Sequence, residues 1–296
     1  MKKFIFLSII ALGISSCESF TQGVIRDIDL PAHTPELVGT LLADPSDSTL
    51  IGIISQTRGL LDSNSTTLLD NAVLNLYQDG DLIHTWSTQD PLTGYYVLDL
   101  NDTLGMHSGK LTFEVLHPEF DAITASDQFP PQAIISNAVI NPGQGQIFTF
   151  PADELVVSVK DIPGVNQHYI FTADLRYSDF DLYQDTNWYS LELFTDDQRA
   201  IQIGSAGAVM LSENGLDADL TISMSCFDLF GSTGQNDIEY RIKVKTLSDA
   251  SWNYYRSITS YEQAQNNPFS EPVLIYSNMD SGYGVFALSN TTEIRI

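Results

Sequence analysis

Short strand-like segments follow one another along almost the whole chain, and they constrain the fold more than any other feature of the sequence. Each shows apolar–polar alternation or is rich in β-branched and aromatic residues, and clusters of Asp, Asn, Gly, Ser or Pro separate them. The segments are 36–43, 49–55, 72–78, 82–87, 94–100, 110–116, 153–161, 167–177, 188–194, 218–227 and 239–247. Asp79-Gly80 is typical of a hairpin turn, because such turns need positive φ angles. The pattern predicts an all-β fold of the sandwich type.

A pair of prolines divides the chain into two predicted domains. Pro130-Pro131 interrupts strand pairing, because proline has no N–H group to donate, and it stiffens the connection. We therefore predict two β-sandwich-like domains, at residues 35–129 and 130–296. The second domain also contains one short helix, at about residues 248–264.

The helix is predicted from a cap and from a change of period. Ser248 is a suitable N-cap, and Leu247 and Trp252 have the spacing of a hydrophobic staple. The residues that recur at i, i+4 and i+7 are Tyr254, Ile258 and Tyr261. This spacing places the three side chains on one face of a helix.

The first residues have the order of a secretory signal peptide. Two lysines precede an apolar run that is too short to span a bilayer as a permanent helix. The run Ile14-Ser15-Ser16-Cys17 fits a bacterial lipobox, in which the cysteine becomes lipidated. We expect a signal peptide at residues 1–16 and a tether at residues 17–34 that starts with lipidated Cys17. The open alternative is an ordinary signal peptide that ends near an unrelated cysteine.

The acidic balance of the chain limits its partners. The sequence has 13 basic and 38 acidic residues, a formal net charge of −25. Loss of residues 1–16 removes two lysines, which leaves 11 basic residues and a charge of −27. Such a surface repels nucleic acid and anionic lipid, so we expect no nucleic-acid partner.

The two cysteines also constrain the chain. Lipidation of Cys17 leaves Cys226 alone, so no intramolecular disulfide forms and the core must hold the fold. Cys226 lies in the apolar run LTISMSCFDLF, which predicts a buried packing role rather than a nucleophile.

The search for chemistry yields one metal candidate and no catalytic motif. Asp179, Asp181 and Asp185 have the offsets of three calcium-loop ligands, but Gln184 and Ser190 occupy the positions of the central Gly and the bidentate Glu. The five histidines are scattered, and no G-x-S-x-G motif is present. We therefore predict a protein that is not an enzyme and has no cofactor, with calcium at the three aspartates as the weaker alternative.

Aromatic residues near the predicted helix are the candidates for ligand binding. Trp252 and Tyr255, together with Trp188, are suited to a platform for a sugar or peptide, although aromatic faces at helical spacing more often pack against a sheet. Asn278 and Asp280 lie in a polar loop that follows this helix in sequence. We predict Trp252, Tyr255, Asn278 and Asp280 as ligand- or partner-binding residues.

The stretch EPVLIYSNMDSGYGVFA, residues 271–287, contains a G-x-G pattern. Phosphate binding through such a pattern needs a third glycine and a following helix, whereas a further β-like run follows here. We interpret the stretch as a loop between two strands, in which Gly282 and Gly284 adopt conformations that other residues avoid.

Several segments give the chain a family resemblance. They are DIDLPAHTPELV after Cys17, NAVLNLYQDG, KDIPGVNQHY and SWNYYRS…PFSEPVLIYSNMDSGYGVFA. With these segments the mature chain resembles Bacteroidota lipoproteins catalogued as domain of unknown function 4249. Ser281 and Ala287 stand where that family usually has glycine. The first domain is also similar to a transthyretin-like or carboxypeptidase-regulatory β-sandwich through NAVLNLYQDG, TGYYVLDL and KLTFEVLHPEF.

The resemblance implies a place in the cell envelope. Members of this family look like outer-membrane lipoproteins encoded beside TonB-dependent receptors, so it implies a lipid-anchored accessory subunit of a nutrient receptor. Both the outer and the periplasmic face of the membrane are open as locations. A free-standing glycan- or peptide-binding lipoprotein is the alternative, and a hydrolase with a site assembled across strands is a third possibility.

Overall fold

The strands of the protein were located in a computed structural model, which describes residues 33–59, 67–100, 102–177, 187–203, 207–212, 219–227, 238–265 and 269–296. The first strands are β1 (Leu37–Ala43), β2 (Thr49–Gln56), β3 (Val73–Gln78), β4 (Asp81–Trp86), β5 (Tyr96–Asp99), β6 (Lys110–His117) and β7 (Phe120–Gln128). They are followed by β8 (Ile135–Ile147), β9 (Phe150–Val159), β10 (His168–Tyr177), β11 (Tyr189–Leu191), β12 (Leu193–Phe194), β13 (Ala200–Ile203), β14 (Ala208–Ser212), β15 (Leu220–Cys226) and β16 (Ile238–Leu247). Helix α1 (Asp249–Gln265) and strand β17 (Tyr283–Arg295) complete the described chain.

The predicted fold class is confirmed, since the described chain is mostly strand and has one helix near its C-terminus. The hairpin turn at Asp79-Gly80 is also confirmed, with φ angles of 50° and 97°. The predicted strand at residues 188–194 is divided in two, because β11 pairs with β10 whereas β12 pairs with β15 in another sheet.

Four strands that the sequence pattern did not predict are present, and one that it predicted is absent. β7 and β8 form antiparallel pairs with β6 and β9. β13 and β14 pair with each other, and β14 also pairs with β10. The prediction of a strand before the G-x-G loop is wrong, because residues 271–279 form no strand. Individual hydrogen bonds hold this segment and Asp280 instead. The Tyr276 N–H donates to Ser257 Oγ at 2.9 Å, the Asn278 N–H to the Gly284 carbonyl at 3.2 Å and the Asp280 N–H to the Thr124 carbonyl at 2.8 Å.

Three sheets make up the described fold. The largest has the strand order β13-β14-β10-β16-β17-β1-β2-β5, and β11 also pairs with β10. The two four-stranded sheets have the orders β12-β15-β9-β8 and β4-β3-β6-β7. β17 is central to the largest sheet: its first half pairs in parallel with β1, and its second half pairs antiparallel with β16.

Two main hydrophobic clusters fill the space between these sheets. One takes its buried side chains from residues 37–129 and from the C-terminal residues Met279, Phe286 and Leu288. The other takes its buried side chains from residues 133–244. The change from one cluster to the other falls between β7 and β8, and β17 adds side chains to the first cluster from the far end of the chain.

The described residues from Pro35 onward, apart from Arg58 and Gly59, belong to one compact unit. Of the other unit, residues 1–34 and 58–62, the structure describes residues 33–34 and 58–59. None of the helical residues that the structure describes forms a segment long and apolar enough to cross a membrane.

Candidate functional site

The N-terminus of α1 is fixed as the sequence predicts. The Ser251 N–H donates to Ser248 Oγ at 3.1 Å, which is the N-cap hydrogen bond. Leu247 and Trp252 belong to the same apolar cluster, as the staple spacing requires. Ser248 Oγ also donates to Asp127 Oδ2 at 2.5 Å, and the Leu288 N–H donates to the same oxygen at 2.7 Å. Asp127 thus ties the start of α1 to both β7 and β17.

The buried face of α1 differs from the predicted one. Ser251 and Thr259 are 2% and 5% exposed, whereas Tyr261, one of the three residues expected on the packed face, is 39% exposed. The buried residues are the small side chains of Ala250, Ser251 and Thr259, and the Ser251 hydroxyl donates to the Leu288 carbonyl at 2.7 Å. A hydrogen bond rather than an apolar contact holds this face of the helix. A prediction based on the spacing of apolar residues therefore selected a neighbouring face.

Trp252 contacts the protein itself. Its ring stacks on His168 with centroids 4.5 Å apart and an interplanar angle of 7°. His168 Nδ1 lies 2.9 Å from Ser212 Oγ, and its Nε2 lies 3.5 Å from Asp249 Oδ1. Burial lowers the pKa of His168, although the Asp249 carboxylate opposes this shift. This stack follows the packing interpretation of Trp252.

Tyr255 lines a cleft of about 560 Å³ between α1 and the largest sheet. The floor is apolar and is formed by Ile170, Ile203 and Ala208. Lys245 lies on the same face of the sheet as the floor residue Ile170. The two residues are directly opposite each other in the pairing of β10 with β16, and opposed residues point to the same face. The cleft therefore combines apolar surface with a few polar groups, as small-molecule sites commonly do.

The charged groups around the cleft are unequally paired. Lys243 Nζ lies 3.1 Å from Asp174 Oδ2, and Glu293 Oε1 accepts from Arg295 Nε at 3.0 Å. Lys245, by contrast, forms no ion pair within 4 Å with any residue that the structure describes. The positive charge of Lys245 acts on Asp47. Burial raises the pKa of the Asp47 carboxyl, and the charge of Lys245 lowers it in part.

The Tyr255 hydroxyl is also unengaged, since it has no hydrogen-bond partner within the described ranges of the chain. Burial raises the pKa of Tyr255, and the negative charges of Asp44 and Asp47 raise it further. The hydroxyl therefore keeps its proton at neutral pH and remains a hydrogen-bond donor.

A short loop forms the remaining wall, and Asp44 holds it in place. Asp44 is 3% exposed, and its Oδ2 accepts from Ser289 Oγ at 2.9 Å and from Thr291 Oγ1 at 2.8 Å. Ser46, which lines the cleft, donates through Oγ to Asp44 Oδ1 at 2.7 Å. Ser289 and Thr291 belong to β17, so these hydrogen bonds attach the loop to that strand. This wall of the cleft is therefore preformed.

The other two predicted binding residues lie near the start of β17. Asn278 Nδ2 donates to the Phe286 carbonyl at 2.8 Å, and the Phe286 N–H donates to Asn278 Oδ1 at 3.0 Å. Asp280 is exposed at its side chain. Of the four predicted binding residues, Tyr255 alone lines the cleft, so the structure does not bring the set together there.

The loop glycines act by different means. Gly284 has a φ of +113°, as expected, and a Cβ there would lie 1.9 Å from the Gly39 carbonyl oxygen. The expectation for Gly282 is wrong: its φ is ordinary, and the constraint is space, because a Cβ would lie 2.6 Å from the Leu37 carbonyl oxygen. Ser281 has a φ of 66°, in the left-handed region where the resemblance expects glycine.

The third candidate aromatic residue is surrounded by the protein's own cations. The guanidinium carbons of Arg176, Arg241 and Arg295 lie 4.7, 4.3 and 5.5 Å from the centroid of the Trp188 ring. Arg241 is itself bonded to Asp174, with Nη2 2.7 Å from Oδ2. Trp188 therefore takes part in an internal cation–π cluster.

The lysines of the cleft are the residues that sequence reasoning missed. The signal was the segment EYRIKVKTL, in which strand alternation sends Arg241, Lys243 and Lys245 to one face. Three cations in succession on one face contrast with the acidic balance of the chain, and this contrast would have marked the predicted strand as part of a candidate binding site.

The structure describes only some of the remaining residues that were considered for chemistry. Cys226 is 1% exposed within the second hydrophobic cluster, as its packing role predicts. Cys17 and the three aspartates of the calcium hypothesis lie outside the described residues. Within the part of the chain that the structure describes, no group of three or more His, Cys, Asp or Glu side chains is placed to hold a metal ion.

Comparison with known proteins identifies a family. The family model described as Domain of unknown function (DUF4249) matches residues 27–295. A comparison with the curated proteins finds no match.

Solved structures show only distant similarity. Native alpha-2-macroglobulin from Escherichia coli is 12% identical, with a TM-score of 0.25, over 74% of this chain and 13% of that chain. A DUF4785 family protein from Legionella pneumophila is 13% identical, with a TM-score of 0.25, over 72% of this chain and 52% of that chain. The chain thus spans about an eighth and about half of these two proteins.

Proposed function

The chain belongs to the family of domain of unknown function 4249, and we propose that it is a lipid-anchored, non-enzymatic accessory or binding subunit of a TonB-dependent nutrient receptor in the outer membrane. The family resemblance supports the receptor as partner. The lipobox at Cys17 supports the anchor. The observation that carries the binding role is the cleft beside Tyr255.

The anchor limits where the protein acts. Nineteen residues lie between Cys17 and Leu37, the first residue of β1. A chain of that length reaches about 70 Å at most when fully extended. A protein acylated at Cys17 therefore keeps its folded part close to the membrane surface and to any receptor embedded there.

The cleft supplies the means of binding. Lys245 and Tyr255 present donors that no described side chain uses, above an apolar floor. Such an arrangement suits a ligand that the protein holds and passes on, because it provides orientation and affinity.

Affinity purification tests the receptor partnership. The wild-type protein carries a tag after Ile296 and is extracted from membranes in several mild detergents. We expect a TonB-dependent receptor to co-purify. The matched control joins residues 1–34 to an unrelated soluble β domain, so that it shares the anchor and tether but lacks the folded part. Recovery of the lipoprotein alone in every detergent, or equal receptor recovery with the control, contradicts the proposal.

A second candidate is a free-standing glycan- or peptide-binding lipoprotein. The position of Tyr255 in the cleft favours it, because an aromatic ring beside polar donors suits both ligand classes. The two candidates differ in their need for a receptor. Ligand binding by the purified protein, together with the absence of any co-purified receptor, would favour this second candidate.

A further inference from the structure

Two donors in the cleft have no described protein partner, and their chemistry indicates the ligand. We propose that the cleft binds a small organic carboxylate, whose anionic head contacts the Lys245 ammonium and the Tyr255 hydroxyl and whose apolar body lies on Ile170, Ile203 and Ala208. This inference rests on the proposal that the protein is a binding subunit, and it adds the class of ligand.

Lys245 is the main determinant of the head-group site. Its neighbour Lys243 is already paired with Asp174, so Lys245 provides the uncompensated positive charge of the described lining. Lys245 is a half-exposed residue of the cleft wall, so its ammonium is free to contact a ligand. An anionic ligand would supply the missing partner.

Tyr255 supplies the second contact from the opposite wall. Tyr255 is partly exposed, and its hydroxyl has no hydrogen-bond partner among the described residues, so it is available to a ligand in the cleft. Since its proton is retained at neutral pH, it is suited to donate to an anionic oxygen. The helix holds the ring in place, because Tyr255 packs against the cluster that contains Leu247 and Ile170.

The surrounding charges favour a monoanion. Asp44 and Asp47 act on Tyr255, and Glu293, which is paired with Arg295, lines the cleft, so the site tolerates little added negative charge beside the one unpaired ammonium of the described lining. A carboxylate adds a single charge, whereas a phosphate monoester adds nearly two and is repelled more strongly. The volume of about 560 Å³ also exceeds what a bare anion needs, and it leaves room for an apolar body.

Isothermal titration of the purified wild-type lipoprotein tests the inference with three probes that share one chain length. The probes are hexanoate, hexanamide and hexyl phosphate, and protein-free micelles serve as the blank. We expect hexanoate to bind about tenfold more tightly than hexanamide, because a hydrogen bond to a charged group is stronger than one to a neutral group. Equal binding of the two, tighter binding of hexyl phosphate, or no binding of hexanoate overturns the proposal.

Variants assign the effect to the named residues. Lys245→Gln is expected to weaken hexanoate binding about tenfold and hexanamide binding much less, whereas Tyr255→Phe is expected to weaken hexanoate binding several-fold. The matched controls are Lys160→Gln, an exposed lysine at the end of β9, and Tyr254→Phe, which packs against another cluster. Unchanged hexanoate binding in folded Lys245→Gln contradicts the assignment. If that variant does not fold, the comparison of hexanoate with hexanamide on the wild-type protein decides the question.

These results are separable from the fate of the receptor proposal. Loss of hexanoate specificity leaves receptor co-purification intact if only the ligand class is wrong. Failure of co-purification with specific hexanoate binding intact removes the receptor and keeps the site.

Discussion

Asn278 hydrogen-bonds both backbone groups of Phe286, as a residue of a neighbouring strand would. Among the described strands, none pairs with Phe286 on the side of β17 that faces Asn278. β16 pairs with that side of β17 only from Ser289 onward. Gly284 permits the close approach of β1, and Ser281 takes a left-handed conformation. Residues that carry the family resemblance therefore shape the start of the central strand.

Gly284→Ala is predicted to destabilise the protein by about 2–5 kcal/mol. The new methyl group requires an unfavourable φ, and it also meets the Gly39 backbone. Gly80→Ala is the matched control, since Gly80 has a φ of +97° but no atom within 4 Å of the place that its new methyl group would occupy. We expect about 1 kcal/mol for the control, from the φ alone. Denaturant unfolding measures both, and equal losses contradict a close contact between β1 and β17.

Asn278→Ala is predicted to lower the free energy of unfolding by about 2–4 kcal/mol. It leaves the N–H and the carbonyl of buried Phe286 without these partners. Asp280→Ala changes an exposed side chain and is expected to stay within about 0.5 kcal/mol of the wild type. Chemical denaturation of the pair decides between a structural and a purely surface role for Asn278: a loss as small as that of Asp280→Ala removes the structural role.

At the scale of elements, the sequence predicted those with clear local signals. The Asp79-Gly80 turn and the N-cap at Ser248 depend on a few adjacent residues, and both were found. β7 buries only Ile123 and Ala125 among its nine residues, so its apolar signal is weak. β8 contains Pro142 and Gly143 at a register shift, and such residues normally mark a turn.

The candidate site was less predictable, because it is assembled from distant segments. Tyr255 was selected from its aromatic character, whereas Lys245 gains its meaning from the absence of an ion-pair partner among the described residues nearby. The cleft also needs Ser46 and Ile170, which come from other parts of the chain. The spacing of residues along the sequence does not show which distant segments come into contact in the fold.

The junction of α1 with β10 is predicted to make stability depend on pH. Because burial holds the pKa of His168 below its ordinary value, the unfolded chain binds a proton more readily than the folded protein. Stability is therefore retained above pH 6.5, and it falls as the pH drops from 6.5 towards the folded pKa. Of the facing charges, Asp249 opposes the shift and Arg256 adds to it.

Replacement of the histidine provides the check. His168→Gln removes the titrating ring, and we expect the variant to lose less stability than the wild type between pH 7.5 and about 5.5. An NMR titration of the His168 ring measures the pKa directly. A value at or above 6.5 would contradict the explanation.

At the scale of the whole molecule, the charge bears on the proposed anchor. Removal of residues 1–16 would leave a charge of −27, which opposes adsorption to anionic lipid, so the folded part would have little affinity for such a surface. Under the proposal, membrane attachment therefore depends on acyl groups at Cys17, and each buried methylene would contribute about 0.8 kcal/mol.

Cys17→Ser is predicted to move the protein from the membrane fraction to the soluble fraction. The substitution removes the acylation site and changes none of the described residues. Cys226→Ser is the matched control, because it removes the other cysteine, and we expect it to stay with the membranes. Immunoblots of the two fractions give the distribution. Retention of Cys17→Ser in the membrane fraction would show that another element anchors the protein.

The intact mass of the complex released from native membranes tests the central claim most directly. Native mass spectrometry of the tagged wild-type protein, in mild detergent, is predicted to show a species that contains the acylated lipoprotein together with a TonB-dependent receptor. A spectrum that shows the lipoprotein only by itself, under conditions in which receptors remain folded, would contradict the account.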